Sequence, residues 1–159
     1  MDVTIRAARD EDAEQLITLI GGCFAEYPGC ILEVDGEMPE LRAIATFFTT
    51  RQGHFWVAER AGQVVGSVGV LPTAAPEGME LRKLYVAQAA RRRGLGGHLC
   101  DLTEAQARAC GAVFIELWSD TRFTDAHRLY ERRGYVRGAE TRALYDLSQT
   151  IEFYFHKPL

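Results

Sequence analysis

Several things are missing from this 159-residue chain. No apolar run approaches the roughly 18 residues that cross a bilayer, so no membrane-spanning helix is expected. The opening Met1-Asp-Val-Thr-Ile-Arg lacks the apolar core of a secretory signal. Four cysteines, Cys23, Cys30, Cys100 and Cys110, show no C-x-x-C spacing. They are expected to be free thiols in a cytoplasmic protein rather than a disulfide framework or a thiolate metal site. No repeat, linker or low-complexity segment divides the chain, which implies a single domain over residues 1–159. With a net charge of −4, a pI near 5.6 and no recognition motif, nucleic acid is not an expected partner. No G-x-x-x-x-G-K-[ST] run is present, which excludes a P-loop. The run Gly94-Leu-Gly96-Gly97-His98-Leu99 has leucine where a dinucleotide fingerprint needs its third glycine.

What is present reads as globular, with 47% apolar and 25% charged residues. Charge is divided unevenly. Residues 82–142 carry twelve Arg/Lys against seven Asp/Glu, whereas residues 1–81 carry five against thirteen. A basic half suits an anionic ligand, and an acidic half suits a cationic one. Strands are expected at Val3–Ala7, His54–Arg60, Gln63–Leu71, Met79–Val86, Val113–Trp118, Tyr135–Leu144 and Ile151–His156. Helices are expected at Glu11–Phe24 (capped by Asp10), Pro39–Thr49, Gly97–Cys110 and Thr124–Arg133. Loops are expected at Tyr27–Gly36 and Thr73–Gly78, the latter near Pro72 and Pro76. The order β-α-α-β-β-β-α-β-α-β-β predicts a mixed α/β sheet with helices on its faces, and a right-handed parallel crossover from Met79–Val86 to Val113–Trp118.

The most informative run is Val86-Ala-Gln-Ala-Ala-Arg91-Arg-Arg-Gly94-Leu-Gly96-Gly97, which joins a strand to a helix. A glycine-rich turn at a helix start leaves backbone N–H groups without acceptors at the positive end of the helix dipole. That geometry receives phosphate oxygens, and glycines let the ligand reach the main chain. A second run, Ala126-His-Arg-Leu129-Tyr130-Glu-Arg-Arg-Gly134-Tyr135, places Ala126, Leu129 and Arg133 at helical spacing, with Gly134 suited to a left-handed stop.

Together the two runs, V-x-x-x-x-[RQ]-x-x-G-x-[GA] and A-x-x-L-Y-x-x-x-G-[FY], resemble the GNAT superfamily of acyl-CoA-dependent N-acyltransferases, and the element order resembles its fold over essentially the whole chain. The resemblance implies a mostly antiparallel mixed sheet with helices on both faces. It implies acetyl-CoA as acyl donor and no metal. Leu84, Tyr85 and Val86 would pair their main chain with the pantetheine arm. Arg91, Arg92, Arg93, Gly94, Leu95, Gly96 and Gly97 would meet the phosphates, Arg91 at the [RQ] position. Tyr130 takes the role of the phenol that protonates the departing sulfur, a task that suits a group of pKa about 10. The family often has Asn three residues before the alanine; here it is Phe123, so that contact is not carried over.

Glu80, on the fourth strand, is the candidate general base for an ammonium, or else a solvated strand-end carboxylate. It is expected to share a face with Arg82, with Leu81 and Lys83 on the other. His54, His127 and Glu116 are weaker candidates, and His98 is expected at the surface. Glu33, Asp35 and Glu37, in an acidic loop, could attract a cationic amine. The expected function is direct acetyl transfer from acetyl-CoA to a small-molecule primary amine. The alternatives are a protein lysine or N-terminal acetyltransferase, a non-catalytic acyl-CoA sensor, or a different acyl donor such as succinyl- or propionyl-CoA. The final strand could pair across a homodimer or serve as a sheet edge.

Overall fold

A computed structural model describes residues 2–75 and 77–159. Seven strands form one sheet: β1 (Thr4–Ala7), β2 (His54–Arg60), β3 (Gln63–Pro72), β4 (Gly78–Val86), β5 (Phe114–Asp120), β6 (Val136–Ala143) and β7 (Ile151–Pro158). Their spatial order is β1-β2-β3-β4-β5-β7-β6. Every neighbouring pair is antiparallel except β4–β5. The helices are α1 (Ala13–Phe24), α2 (Val34–Glu37), α3 (Ile44–Thr49), α4 (Leu95–Ala109) and α5 (Thr124–Arg132). The mixed, mostly antiparallel sheet and its element order agree with the sequence reading. Pro76 lies outside the described residues, so part of the expected 73–78 loop does too.

Two cores sandwich the sheet. On one face α1 and α3 bury Leu16, Ile20, Ile44 and Phe48 against Phe55 and Val57. On the other, α4 and α5 bury Leu99, Ala107 and Tyr130 against Val68, Leu81, Leu117 and Phe155. Because both faces of β3 are covered, nearly all of its residues are buried, and Val64 to Leu71, interrupted only by Ser67 among polar side chains, does not alternate. Ala61 and Gly62, both at positive φ, make the tight β2–β3 turn.

The helix expected from Asp10 splits. Asp10–Asp12 is a 3-10 turn, and α1 starts at Ala13. Asp10 does not cap α1: its carboxylate accepts from the N–H and hydroxyl of Thr46 in α3, at 2.9 and 2.5 Å. Asp12 is turned inward instead, gripped by both Arg6 guanidinium nitrogens and the Arg9 N–H. The expected Pro39–Thr49 helix is likewise a 3-10 turn, Pro39–Ala43, followed by α3, and the acidic loop contains the single helical turn α2. β5 runs two residues further than its apolar stretch, to Asp120. Among the described residues no helix is long and apolar enough to cross a membrane.

One irregularity in β4 shapes the site. Ser67 of β3 pairs with Tyr85 and Gly69 with Arg82, so three steps of β4 oppose two of β3. The extra residue is Lys83, held at φ 55, where side chains other than glycine are uncommon. Its carbonyl accepts from the Ser67 hydroxyl at 2.8 Å, and its ammonium meets Glu40 at 2.9 Å. Lys83 therefore sits with Glu40 on the α1 side of the sheet rather than beside Leu81, as strict alternation required. Burial pushes its pKa down, and Glu40 partly restores it.

Candidate active site

The parallel pair β4–β5 is short. Only Gly78, Met79 and Glu80 pair with Phe114, Ile115 and Glu116. Past Glu80 the strands part, while β5 stays paired with β7 along its whole length. A cleft of about 420 Å³ opens at this split. The Ala87 N–H donates to the Val65 carbonyl and Tyr85 pairs with Ser67, so the β4 main chain that faces the cleft without a β5 partner is that of Leu84 and Val86. The Val86 carbonyl is already taken, by the Arg91 Nε at 3.0 Å and the Cys23 thiol at 3.6 Å.

At the mouth lies the glycine turn. Gly94 adopts φ 80 and caps α4, a conformation that any Cβ would strain. The first hydrogen bond of α4 runs from His98 to the Gly94 carbonyl. The N–H groups of Leu95, Gly96 and Gly97 precede it and find no protein acceptor, at the positive end of a 15-residue helix. A Cβ on Gly96 would stand 3.1 Å from the Leu129 side chain, so this glycine sets the close approach of α4 to α5. The helix begins two residues before the expected Gly97, because Gly94 rather than Gly96 makes the turn.

The cleft walls are apolar toward the split, with Leu84, Val86, Ala126 and Leu129, and cationic toward the mouth, with Arg91, Arg92, Arg128 and Arg132. The four arginines are not equivalent. Arg91 donates to both Glu26 oxygens, at 2.6 and 2.7 Å, tying the turn to the end of α1. Arg128 pairs with Asp125. Among the described residues Arg92 and Arg132 form no ion pair. Two free guanidiniums, three free N–H groups and an apolar channel match a ligand with phosphates at one end and a narrow, amide-bearing arm at the other. Nine of the ten expected donor-site residues line this cleft: Leu84, Tyr85, Val86, Arg91, Arg92, Gly94, Leu95, Gly96 and Gly97. Arg93 is exposed outside the lining. The contribution of α5 was missed, although residues 125, 128, 129 and 132 are at helical spacing and Arg132 is one of the two free cations.

Tyr130 is buried on α5, its ring packed between Tyr135 and Phe155 at 5.5 and 5.6 Å. It is not part of the cleft lining. Among the described residues its hydroxyl makes no hydrogen bond, yet the sealed, partnerless side-chain atoms among them comprise only the Tyr135 hydroxyl. The Tyr130 oxygen therefore keeps a small opening to solvent. Burial holds its pKa well above 10, so it remains a protonated donor. His127 and Tyr130 are the fully buried residues of α5; Ala126 and Leu129 are partly buried and pack against the same core, whereas Arg133 pairs with Asp101 and Glu104. His127 is a satisfied core residue. Its Nε2 lies 3.0 Å from both the Ser119 hydroxyl and the Asp120 carbonyl, and burial lowers its pKa. His54 is exposed and stacks on Trp56, and His98 is exposed.

Glu80 lies outside the cleft lining, on the α1-side face, paired with Arg82 at 3.3 Å. Two further carboxylates share that face: Asp120, held by Arg122, and Glu152, held by Arg142 at 2.7 Å. Burial raises the pKa of Glu152, Arg142 opposes the rise, and Asp120 and Glu80 add to it. Glu152 thus has the desolvation that a carboxylate base needs. Its neighbours come from strands far apart in the chain, so no local motif flagged it. Glu116 faces Tyr154, whose phenol is pushed up to about 12 by burial and by that carboxylate. Among the described residues no cluster of His, Cys, Asp and Glu could hold a metal ion.

Residues 14–135 match the model of the Acetyltransferase (GNAT) family. The chain is 35% identical over 89 residues to the uncharacterized N-acetyltransferase YjgM of Escherichia coli K12, a match covering 54% of this chain and 53% of that protein. The chain spans about half the length of the curated relatives it matches. Its fold superimposes on an acetyltransferase of the GNAT family from Staphylococcus aureus Mu50, with a TM-score of 0.84, 21% identity and 99% of both chains covered. It also superimposes on the PaiA N-acetyltransferase of Thermoplasma acidophilum in complex with coenzyme A, with a TM-score of 0.78, 19% identity and 100% of both chains covered.

Proposed function

This chain belongs to the GNAT acetyltransferase family, and on that premise we propose that it transfers an acetyl group from acetyl-CoA directly to the primary amine of a small molecule. The observation that carries the reading is the split beyond Glu80 with the acceptor-free N–H groups of Leu95, Gly96 and Gly97 at its mouth. Coenzyme A in the PaiA neighbour supports the same ligand class here. Acetyl-CoA supplies an activated thioester and a thiolate leaving group.

The roles of the chain's own residues follow from position. Leu95, Gly96 and Gly97 offer their N–H groups, and Arg92 and Arg132 their guanidiniums, to the phosphates. Leu84 and Val86 offer N–H groups on the edge of β4 that has no β5 partner, which pair with the pantetheine amides and polarise the thioester carbonyl. Leu84, Ala126 and Leu129 exclude water from the arm. Tyr130 donates its proton to the leaving sulfur. Glu80 removes a proton from the attacking ammonium, directly or through water, with Glu152 as the competing base.

A turnover screen of acetyl-CoA against free amines and against lysine-bearing peptides tests the reading, with thiol release and product mass as readouts. Acetylated free amine is the expected product. Modification of peptides alone would reassign the enzyme to proteins, and coenzyme A binding without turnover on either panel would make it a sensor. Of Glu80→Gln and Glu152→Gln, the variant that abolishes the acid limb of the kcat/KM pH profile identifies the base.

A further inference from the structure

Beside the donor cleft lies a second cavity of about 270 Å³. Its apolar lining is Phe24, Ile31, Leu32, Met38 and Leu144, and its polar lining is Glu33, Glu37 and Asp146. It contains no Lys, Arg or His. Phe24 lines this cavity alone and backs onto the cleft: its ring stands 6.1 Å from Tyr85 and 6.2 Å from Phe123, both of which line the donor cleft.

The cavity is held open by contacts between two distant loops. Ser148 accepts from the Ile31 N–H at 2.8 Å and donates to the Ile31 carbonyl at 3.1 Å. Glu37 accepts from the Leu147 N–H at 2.9 Å.

The carboxylates on this side of the molecule fall into two sets. The inner ones, Glu80, Asp120 and Glu152, each have an arginine. Those of the cavity are held only by neutral donors. Glu33 accepts from Gly36 N–H, Glu37 from Leu147 N–H, and Asp146 from the N–H and hydroxyl of Thr150. Neutral donors hold a carboxylate in place without cancelling its charge, so three negative charges surround an apolar floor.

We propose that this cavity receives the far end of the acceptor and selects aliphatic diamines or polyamines, whose methylene chain lies on the apolar floor while a second ammonium meets Glu33, Glu37 and Asp146. The inference rests on the acetyltransferase reading above and names the acceptor class for the same site. At about 270 Å³ the cavity is near the bottom of the range for ligand pockets, which begins at about 300 Å³, and this fits a short chain. Phe24, Tyr85 and Phe123 form the partition between cavity and cleft, and a chain of several methylenes spans it to keep the other amine at the split.

The test compares hexamethylenediamine, n-hexylamine and aminocaproate as acceptors, by initial rates and by calorimetric binding. They share a six-carbon chain and differ only in the far group: cationic, absent or anionic. The diamine is expected to exceed hexylamine in kcat/KM by about tenfold and aminocaproate by about a hundredfold. Its advantage should shrink as salt is raised. Glu37→Gln combined with Asp146→Asn should bring the diamine-to-hexylamine ratio toward one. If that variant fails to fold, the salt dependence of the intact protein carries the same information. Equal use of diamine and hexylamine, independent of salt, overturns the proposal and leaves the acetyltransferase reading standing. Preferential, salt-sensitive binding of the diamine without turnover of any amine supports the cavity's selectivity and removes the acetyltransferase reading instead.

Discussion

The donor cleft and the acceptor cavity are neighbours built on opposite plans. The cleft draws over half of its lining from one stretch, Leu84 to Gly97, where the N–H groups of Leu95, Gly96 and Gly97 are free, with one face of α5 laid beside it. The cavity is made of side chains brought together from the two ends of the chain, with Ile31 and Ser148 bonded across 117 positions and Glu37 and Leu147 across 110. A main-chain site recognises what all its ligands share, phosphates and amides. A side-chain site can change its chemistry without touching the turn or the split. On the proposed function, donor recognition follows from the fold and acceptor choice from this chain's own loops.

The largest effect should come between the two regions. Tyr130→Phe is expected to lower kcat by roughly 10²–10⁴ while the KM values for acetyl-CoA and amine stay put. Steady-state kinetics decides, and full activity would remove the phenol from the chemistry. Next, Gly96→Val should raise the KM for acetyl-CoA by about tenfold, because the Leu129 contact forces α4 from α5 at about 1–3 kcal/mol. The amine KM should not follow, and an equal rise in both would mean that the two regions are not independent.

Ser148→Ala is the converse. It removes two hydrogen bonds, each contributing about 1 kcal/mol. The amine KM should rise about fivefold while that for acetyl-CoA holds.

The smallest effect lies outside both regions. Burial lowers the pKa of His127, so the unfolded chain takes up a proton first as pH falls below about 6.5. In that window the unfolded state binds more protons, and stability declines with falling pH by at most about 1.4 kcal/mol per unit. Thermal melts of His127→Gln against the parent, across about pH 8 to 5, should show that slope flattened, with both KM values unchanged.

The same contrast explains what could be read from the sequence. Val86, Arg91, Gly94 and Gly96 gave away the turn because backbone requirements leave a fixed spacing of glycines. The crossover from β4 through α4 to β5 followed from element order. Arg91 was legible as a cleft residue, but its bond to Glu26 was not, since Glu26 lies 65 positions away in the turn after α1. Nothing local marked Glu152, which acquires its burial and neighbours from β4, β5 and β6. Asp10 illustrates the limit at short range. A residue that looked like a cap for the helix after it instead bonds Thr46, because the 3-10 turn aims its carboxylate at α3.

Lys83 carries a consequence beyond its ion pair. By inserting one residue it reverses the beat of β4: Met79 and Leu81 point toward α4, yet so does Leu84, and Tyr85 falls in with Glu80 and Arg82 on the α1 side. The strand is thus two half-strands in opposite phase, joined at a hinge of one residue. With Lys83 kept but forced into regular alternation, the strand would send Tyr85 into the core beneath α4 and turn Leu84 to the α1 side. The bulge at Lys83, and not only the composition of β4, decides which side of the sheet Leu84 and Tyr85 serve.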